Sequence, residues 1–379
     1  MTANLVNILL GGVFHAPIHP QERVRFRHHR SGRGRLHARQ GEGGGRGALS
    51  IDRRPFLAML ASGLVARPRP TAAQPAGRVY RLGMLAPTTA PPPSEQRTAT
   101  TLVPKALREM GYEPGRDLAV EVRYAGGKLG RLPELARELV RLRSDVIVAI
   151  GSSAARAART ATATIPIVLY GNIDPVAAGL VKSLARPEGN ITGVLIAPAG
   201  TLAAKKLELL KEAVPGAVRV AFLAPDDPGV RLQTQETQLA AAALGVRLAV
   251  TEVRARDYEG AFAGMASSRP EALFVAGHTF FVYDRKRIIE LAAKYRLPAM
   301  YEWPEHVEDG GLMSYGSSLA ETTRRVAVYV DRLFKGARPG DLPIEQPAQF
   351  QLVINLRTAR ALGLAVPPAL IARADRLIE

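Results

Sequence analysis

The stretch DVIVAIGSSAARAARTATATIPIVLYGNIDPV, from Asp145 to Val176, decides the architecture. Two β-branched runs, DVIVAIG (145–151) and IPIVLYG (165–171), flank an alanine-rich helical segment that Ser152 and Ser153 lead into. Continuous apolar strands separated by a helix belong to a parallel sheet covered on both faces. The same rhythm extends outward. RLGMLAP (81–87), LAVEVRYA (118–125) and ITGVLIA (191–197) read as strands, and GRLPELARELVRL sets Leu132, Leu135, Leu139 and Leu142 on one helical stripe. A second round follows in RVAFLAP (219–225), VRLAVTEV (246–253), EALFVAG (271–277) and LPAMYEW (297–303). The pattern predicts an α/β chain of two doubly wound parallel-sheet lobes. Three later elements have no lobe assigned by periodicity: GGLMSYG (310–316), a helix carrying Leu319, Val326, Val330 and Leu333, and FQLVIN (350–355).

Composition narrows the function. The 379 residues are 47% hydrophobic and 22% charged, a globular profile with room for two domains. The net charge of +17 is uneven: residues 1–78 hold 13 Arg against 3 acidic residues. That leader has no apolar period and reads as a disordered basic segment over 1–51, so no nucleic-acid partner is expected. Cysteine is absent, which removes disulfides, thiolate metal sites, Cys nucleophiles and a lipid-modified Cys. Five of the seven His lie in the leader, leaving His278 and His306, so no metal or cofactor is expected. G-x-S-x-G, H-E-x-x-H and G-x-x-x-x-G-K-[ST] motifs are all missing, so a search for enzyme machinery finds little.

In open parallel sheets, ligands bind beyond the carboxyl ends of the strands, so the informative residues follow each strand. Ser152 and Ser153 either cap the helix after them or present a hydroxyl and amide pair to a carboxylate. Asn172 and Asp174 either cap a helix begun by Pro175 or receive an ammonium or amide group. His278, Thr279 and Phe280 follow the strand of the second round, and Tyr301 and Tyr315 line a pocket or cover the sheet.

The chain from about Val79 resembles the tryptophan/tyrosine-type family of ABC-transporter substrate-binding proteins. The likeness is carried by ALREMGYEPGRDLAVEVRYAGGKLGRLPELARELVRLRSDVIVAIGS, TIPIVLYGNIDPVAAGLVKSLARPEGNITGV and LPAMYEWPEHVEDGGLMSYGSSLAETTRRVAVYVDRLFKGARPGDLPIEQPAQFQLVINLRTARALGL. It implies the type I periplasmic-binding-protein fold, with three crossings near Pro198, Ser314 to Ser318 and Pro343. Lobe one would be 79–197 plus 318–342, and lobe two 198–313 plus 343–379. The implied function is capture of a small solute, an amino acid or aromatic or related organic acid, by hinge closure and its delivery to a membrane permease. A monomer is expected. The alternative is a cytoplasmic ligand-sensing domain or α/β enzyme on the same architecture. Implied ligand contacts are Thr88, Thr89, Ser152, Ser153, Tyr170, Asn172 and Asp174 from lobe one. Asp226, His278, Thr279, Phe280 and Tyr301 come from lobe two, with Tyr315 at a crossing. The chain departs from common relatives in NIDPV, in Pro304 within EWPEH, and in lacking an anchoring Cys.

DRRPFLAMLASGLVARPRPTAA (52–73) places paired arginines, a nine-residue apolar run and a small-residue ending in the order of a twin-arginine-like signal peptide, with cleavage expected after Ala73. The run is too short to span a bilayer. A translation start near Leu49 would put it at the N-terminus, and the expected location is the periplasm, soluble and without a lipid anchor.

Overall fold

Parallel pairing of the first strand with two neighbours at once sets the frame of the molecule. The computed structural model describes residues 78–93, 95–197 and 202–379. The basic leader, the signal-like stretch and the expected crossing near Pro198 lie outside them. In chain order the first lobe contains β1 (Tyr80–Ala86), α1 (Ala99–Glu109), β2 (Leu118–Tyr124), α2 (Leu132–Arg141), β3 (Val146–Ile150), α3 (Ser152–Ala161), β4 (Ile167–Gly171) and β5 (Ile191–Leu195). Its sheet runs β2-β1-β3-β4-β5, parallel throughout. Every residue of β3 and β4 is buried, as strands covered on both faces must be. On one face α2 and α3 supply Leu132, Leu135, Leu139 and a run of alanines. On the other lies α1, with Val103 and Leu107.

The second lobe contains α4 (Leu202–Ala213), β6 (Arg219–Pro225), α5 (Arg231–Ala243), β7 (Arg247–Val253), α6 (Tyr258–Ala266), β8 (Ala272–Val275), α7 (Thr279–Tyr283), α8 (Arg285–Lys294), β9 (Ala299–Tyr301), α9 (Pro304–Glu308) and β10 (Met313–Gly316). The chain continues through α10 (Leu319–Phe334), β11 (Gln351–Asn355), α11 (Leu356–Leu362), α12 (Pro368–Ala372) and β12 (Arg376–Ile378). The second sheet runs β12-β11-β10-β9-β8-β6-β7, parallel except where β11 meets β10. The α/β architecture with two parallel-dominant sheets is the one the strand pattern predicts, extended by α11, α12 and β12 at the C-terminus. β12 is three residues long with no buried face, too short for periodicity to reveal.

The late elements divide between the lobes. Val326, Ala327, Tyr329 and Val330 of α10 join the first lobe's core, and Phe334 stacks on Tyr80 with ring centroids 4.5 Å apart. Beyond it the Glu345 N–H donates to the Gly193 carbonyl at 3.0 Å before the chain enters β11 in the second sheet. Both sheets belong to one compact unit.

Gly193 in β5 sits against the main-chain oxygen and side chain of Leu169, with no space for a Cβ. Gly193→Ala is expected to cost about 1–3 kcal/mol through overpacking of rigid neighbours, read as a lower urea midpoint. An unchanged midpoint would mean that β4 and β5 separate freely.

Candidate functional site

The carboxyl edges of the two sheets face one another, so residues that follow different strands meet. Gly151 ends β3 with φ 86°, a left-handed conformation that glycine adopts without strain. It packs so closely under β4 that a Cβ on Gly171 would lie 3.1 Å from its Cα. This turn makes Gly151, not a serine, the cap of α3, and Ser152 and Ser153 become its first two residues. The Ser153 hydroxyl crosses to the other lobe and donates to Asp227 at 3.0 Å. Beside it Gly229 lies directly against Ser152.

Asp227 is the centre of this contact. One of its oxygens also accepts from the Gly229 N–H at 2.8 Å, and the other faces His278 Nε2 at 3.2 Å. His278 Nδ1 accepts the Phe280 N–H at 3.3 Å, capping α7, so the ring proton resides on Nε2 and points at Asp227. Burial pushes the Asp227 carboxyl upward, but His278, Gly229 and Ser153 outweigh it and hold the group below the usual carboxylate range.

The other expected contacts fall in different places. Thr88 is fully buried at the end of β1, its carbonyl accepting from Gly126, while Thr89 is exposed and accepts from Arg256 of the facing lobe at 3.2 Å. Thr279 lies beside Gly151, where a Cβ would come within 3.5 Å of its hydroxyl. Asn172 is half-buried. Asp174 caps a turn, not a helix: its carboxylate accepts from Val176 and Ala177, and no helix follows Pro175. Asp226 is exposed, its neighbour Asp227 taking the buried position. Tyr170 points into the first core, bonding Thr322 at 2.9 Å, and Tyr301 is buried in the second core against His306. Tyr315 lies half-buried on β10, tilted against Phe350. The geometry thus gathers Thr89, Ser152, Ser153, His278 and Thr279 along the lobe boundary and leaves Tyr170 and Tyr301 in the cores.

Sequence reasoning misses three groups at the boundary. Asp227 is separable from Asp226 only by the Asp-Pro-Gly turn it caps. Trp303 packs into the first lobe's core and stacks on His306 at 5.8 Å. Arg285, only 1% exposed, joins Glu95 of the first lobe at 2.6 Å to Asp309 of the second at 2.7 Å. Arg97 reaches Asp309 and Glu308 from the first lobe, completing a charge network across the boundary. Along the same edge a cavity of about 270 Å³ opens between Gly127 and Lys128 on one side and Asp226, Arg256, Tyr258 and Phe280 on the other.

Ser153, Asp227 and His278 have the composition of a nucleophilic triad but the wrong order. In a triad the imidazole stands between serine and carboxylate and takes the serine proton. Here the carboxylate stands between them, and the one basic ring nitrogen is occupied by the Phe280 N–H. The arrangement can hold polar groups reversibly across two lobes but cannot activate Ser153. Among the described residues, no group of three or more His, Asp or Glu is placed to hold a metal ion.

Comparison with known proteins gives consistent matches. Residues 94–378 match the family described as ABC transporter substrate binding protein. A tyrosine-binding protein of Clostridioides difficile is 26% identical over 273 residues, covering 69% of this chain and 75% of that protein. Among solved structures, a conserved domain protein from Vibrio cholerae superposes with a TM-score of 0.70 at 26% identity, covering 79% of this chain and all of that one. An ABC domain from Streptococcus pneumoniae in complex with L-Trp superposes with a TM-score of 0.69 at 22% identity, with the same coverage.

Because the folded Asp227 carboxyl titrates below its unfolded value near 3.9, its contribution is full above that value and disappears as pH falls through the folded one. Asp227→Asn is expected to cost about 1–3 kcal/mol at pH 7, with the gap to the unsubstituted protein closing below about pH 4. Denaturant titrations across pH measure it, and a gap that does not narrow as pH falls below the unfolded value of about 3.9 would contradict the assignment.

Proposed function

The chain belongs to the ABC transporter substrate binding protein family, and on that premise we propose that it is an exported receptor that captures a small solute between its lobes and hands it to a membrane permease. The observation that carries this reading is the Ser153–Asp227 hydrogen bond, which joins the carboxyl edges of both sheets at the place where open α/β sheets take ligands. The solute class is an amino acid or an aromatic or related organic acid, in keeping with relatives named for tyrosine and solved with L-Trp. The N-terminus of α3 with its two serines suits the carboxylate that both kinds of solute carry. Thr89, His278, Thr279 and Phe280 complete the boundary.

Closure needs a hinge. The chain crosses between lobes after β10 and again around Glu345, and the two crossings are tied to β5 and its continuation by the Ser317 hydroxyl on the Ile196 carbonyl at 2.8 Å and by Glu345 on Gly193. Lobe one is then 79–197 plus 318–342, and lobe two the rest of the folded chain. The stretch 52–73 supplies the export signal, and the receptor works as a monomer in the periplasm. Within the alternative of a cytoplasmic ligand-sensing domain or α/β enzyme, the order of Ser153, Asp227 and His278 argues against serine-hydrolase chemistry.

Residues 74–379, challenged with L-tyrosine, L-tryptophan and aromatic acids, are expected to gain thermal stability from one class of solute. The gain follows RT ln(1 + [L]/Kd), about 2.7 kcal/mol at one hundred times Kd. The solute should be recovered unchanged. Conversion of a stabilising solute into product would overturn the receptor reading.

A further inference from the structure

Three consecutive residues at the junction of α7 and α8 reach across to the segment of the first lobe that joins β1 to α1. The Tyr283 hydroxyl meets Thr100 Oγ1 at 3.0 Å. Asp284 holds Arg256, whose guanidinium donates to Thr89 at 3.2 Å. Arg285 donates to Glu95 at 2.6 Å. From the first lobe Arg97 answers, donating to Glu308 at 2.9 Å and to Asp309 at 2.5 Å. Apart from Thr89, these side chains stand outside the group assigned above to the solute.

The charges are paired so that the crossing bonds can break without leaving a bare partner behind. Within the second lobe Arg285 keeps Asp309 at 2.7 Å and the Val282 carbonyl at 2.8 Å, and Glu308 keeps Arg376 at 2.5 Å. In the first lobe Glu95 accepts the Arg97 N–H at 2.7 Å, and the Arg97 side chain is already 36% exposed to water. Stripping a buried charge of its only partner is costly, so a permanent interface would gain nothing from this duplication. A contact that is made and broken repeatedly requires it. The cluster is also connected to the solute edge by α7 itself, which begins at the His278 cap facing Asp227 and ends at Tyr283. Between them Val282 is buried in the first lobe's core.

We propose that Tyr283 and Arg285, with Glu95 and Arg97 opposite them, form a reversible clamp that holds the lobes together and sets how long a captured solute stays. They are positioning residues, acting on the placement of the lobes and not on the solute. The proposal rests on the receptor reading and goes beyond it. Because the crossing bonds exist only while the lobes are joined, weakening them speeds reopening and leaves the encounter of solute with the open lobes as it was.

The test uses the double variant Glu95→Ala/Arg97→Ala, which removes the crossing charges of the first lobe, and Arg376→Gln, which removes a partner of Glu308 inside the second lobe. Without solute, the double variant should show a larger radius of gyration by small-angle X-ray scattering than the unsubstituted protein, and Arg376→Gln should not. Rapid mixing with whichever of L-tyrosine, L-tryptophan and indole-3-propionate the unsubstituted protein binds should show dissociation about tenfold faster in the double variant, with association unchanged. Tyr283→Phe, a milder change that removes one neutral crossing bond, should accelerate dissociation by about threefold. An unchanged dissociation rate in the double variant, or an equal acceleration in Arg376→Gln, overturns the clamp and leaves the receptor standing. If no amino acid or aromatic acid binds, the receptor reading falls, and an unchanged radius of gyration in the double variant takes the clamp with it.

Discussion

A hydrogen bond between a serine on one lobe and a carboxylate on the other organises everything else in this molecule. For Ser153 to reach Asp227, β3 must end in a left-handed turn that only glycine makes cheaply, and α3 must begin at once. Asp227 must be buried, which requires His278, Gly229 and Ser153 to compensate its charge. The facing edges must also be close enough for Gly229 to touch Ser152. These constraints concern one place, and they explain why small and polar residues gather there while both cores stay apolar.

Charge is arranged on the same plan. Arg285 and Lys206 are both almost fully buried, and each is paired with carboxylates instead of being left alone. Replacing such pairs by apolar residues often stabilises a protein, whereas removing one partner is costly. Their presence is therefore better explained by position than by stability. The Arg285 network joins Glu95 of the first lobe to Asp309 of the second, so its geometry is met in one relative placement of the lobes. Lys206 instead secures Glu302 from within the second lobe, beneath the edge that faces the first.

The architecture was legible because parallel strands buried on both faces appear in sequence as continuous apolar runs, and β3 and β4 are such runs. Residues directly after these strands were legible as candidates for the same reason. What stayed hidden depends on side-chain direction. Residues two apart in a strand share a face, but β9 ends at Tyr301, so Tyr301 enters the second core while Trp303, past the strand end, meets the first lobe. Asp226 is exposed while its immediate neighbour Asp227 is buried. Arg285 could not be read at all, since its partners lie 190 and 24 residues away in sequence. Asp174 shows the reverse case, where a cap was read correctly in chemistry but the helix it would begin is a turn.

The proposed receptor function requires the lobes to move when solute binds. The chain has no cysteine, so a pair introduced at Arg137 on α2 and Leu239 on α5, both exposed, can carry spin labels uniquely. The distance distribution by pulsed electron resonance should be broad or double without solute and collapse to a single short population with a stabilising amino acid. A distribution unchanged by saturating solute would contradict closure of the lobes.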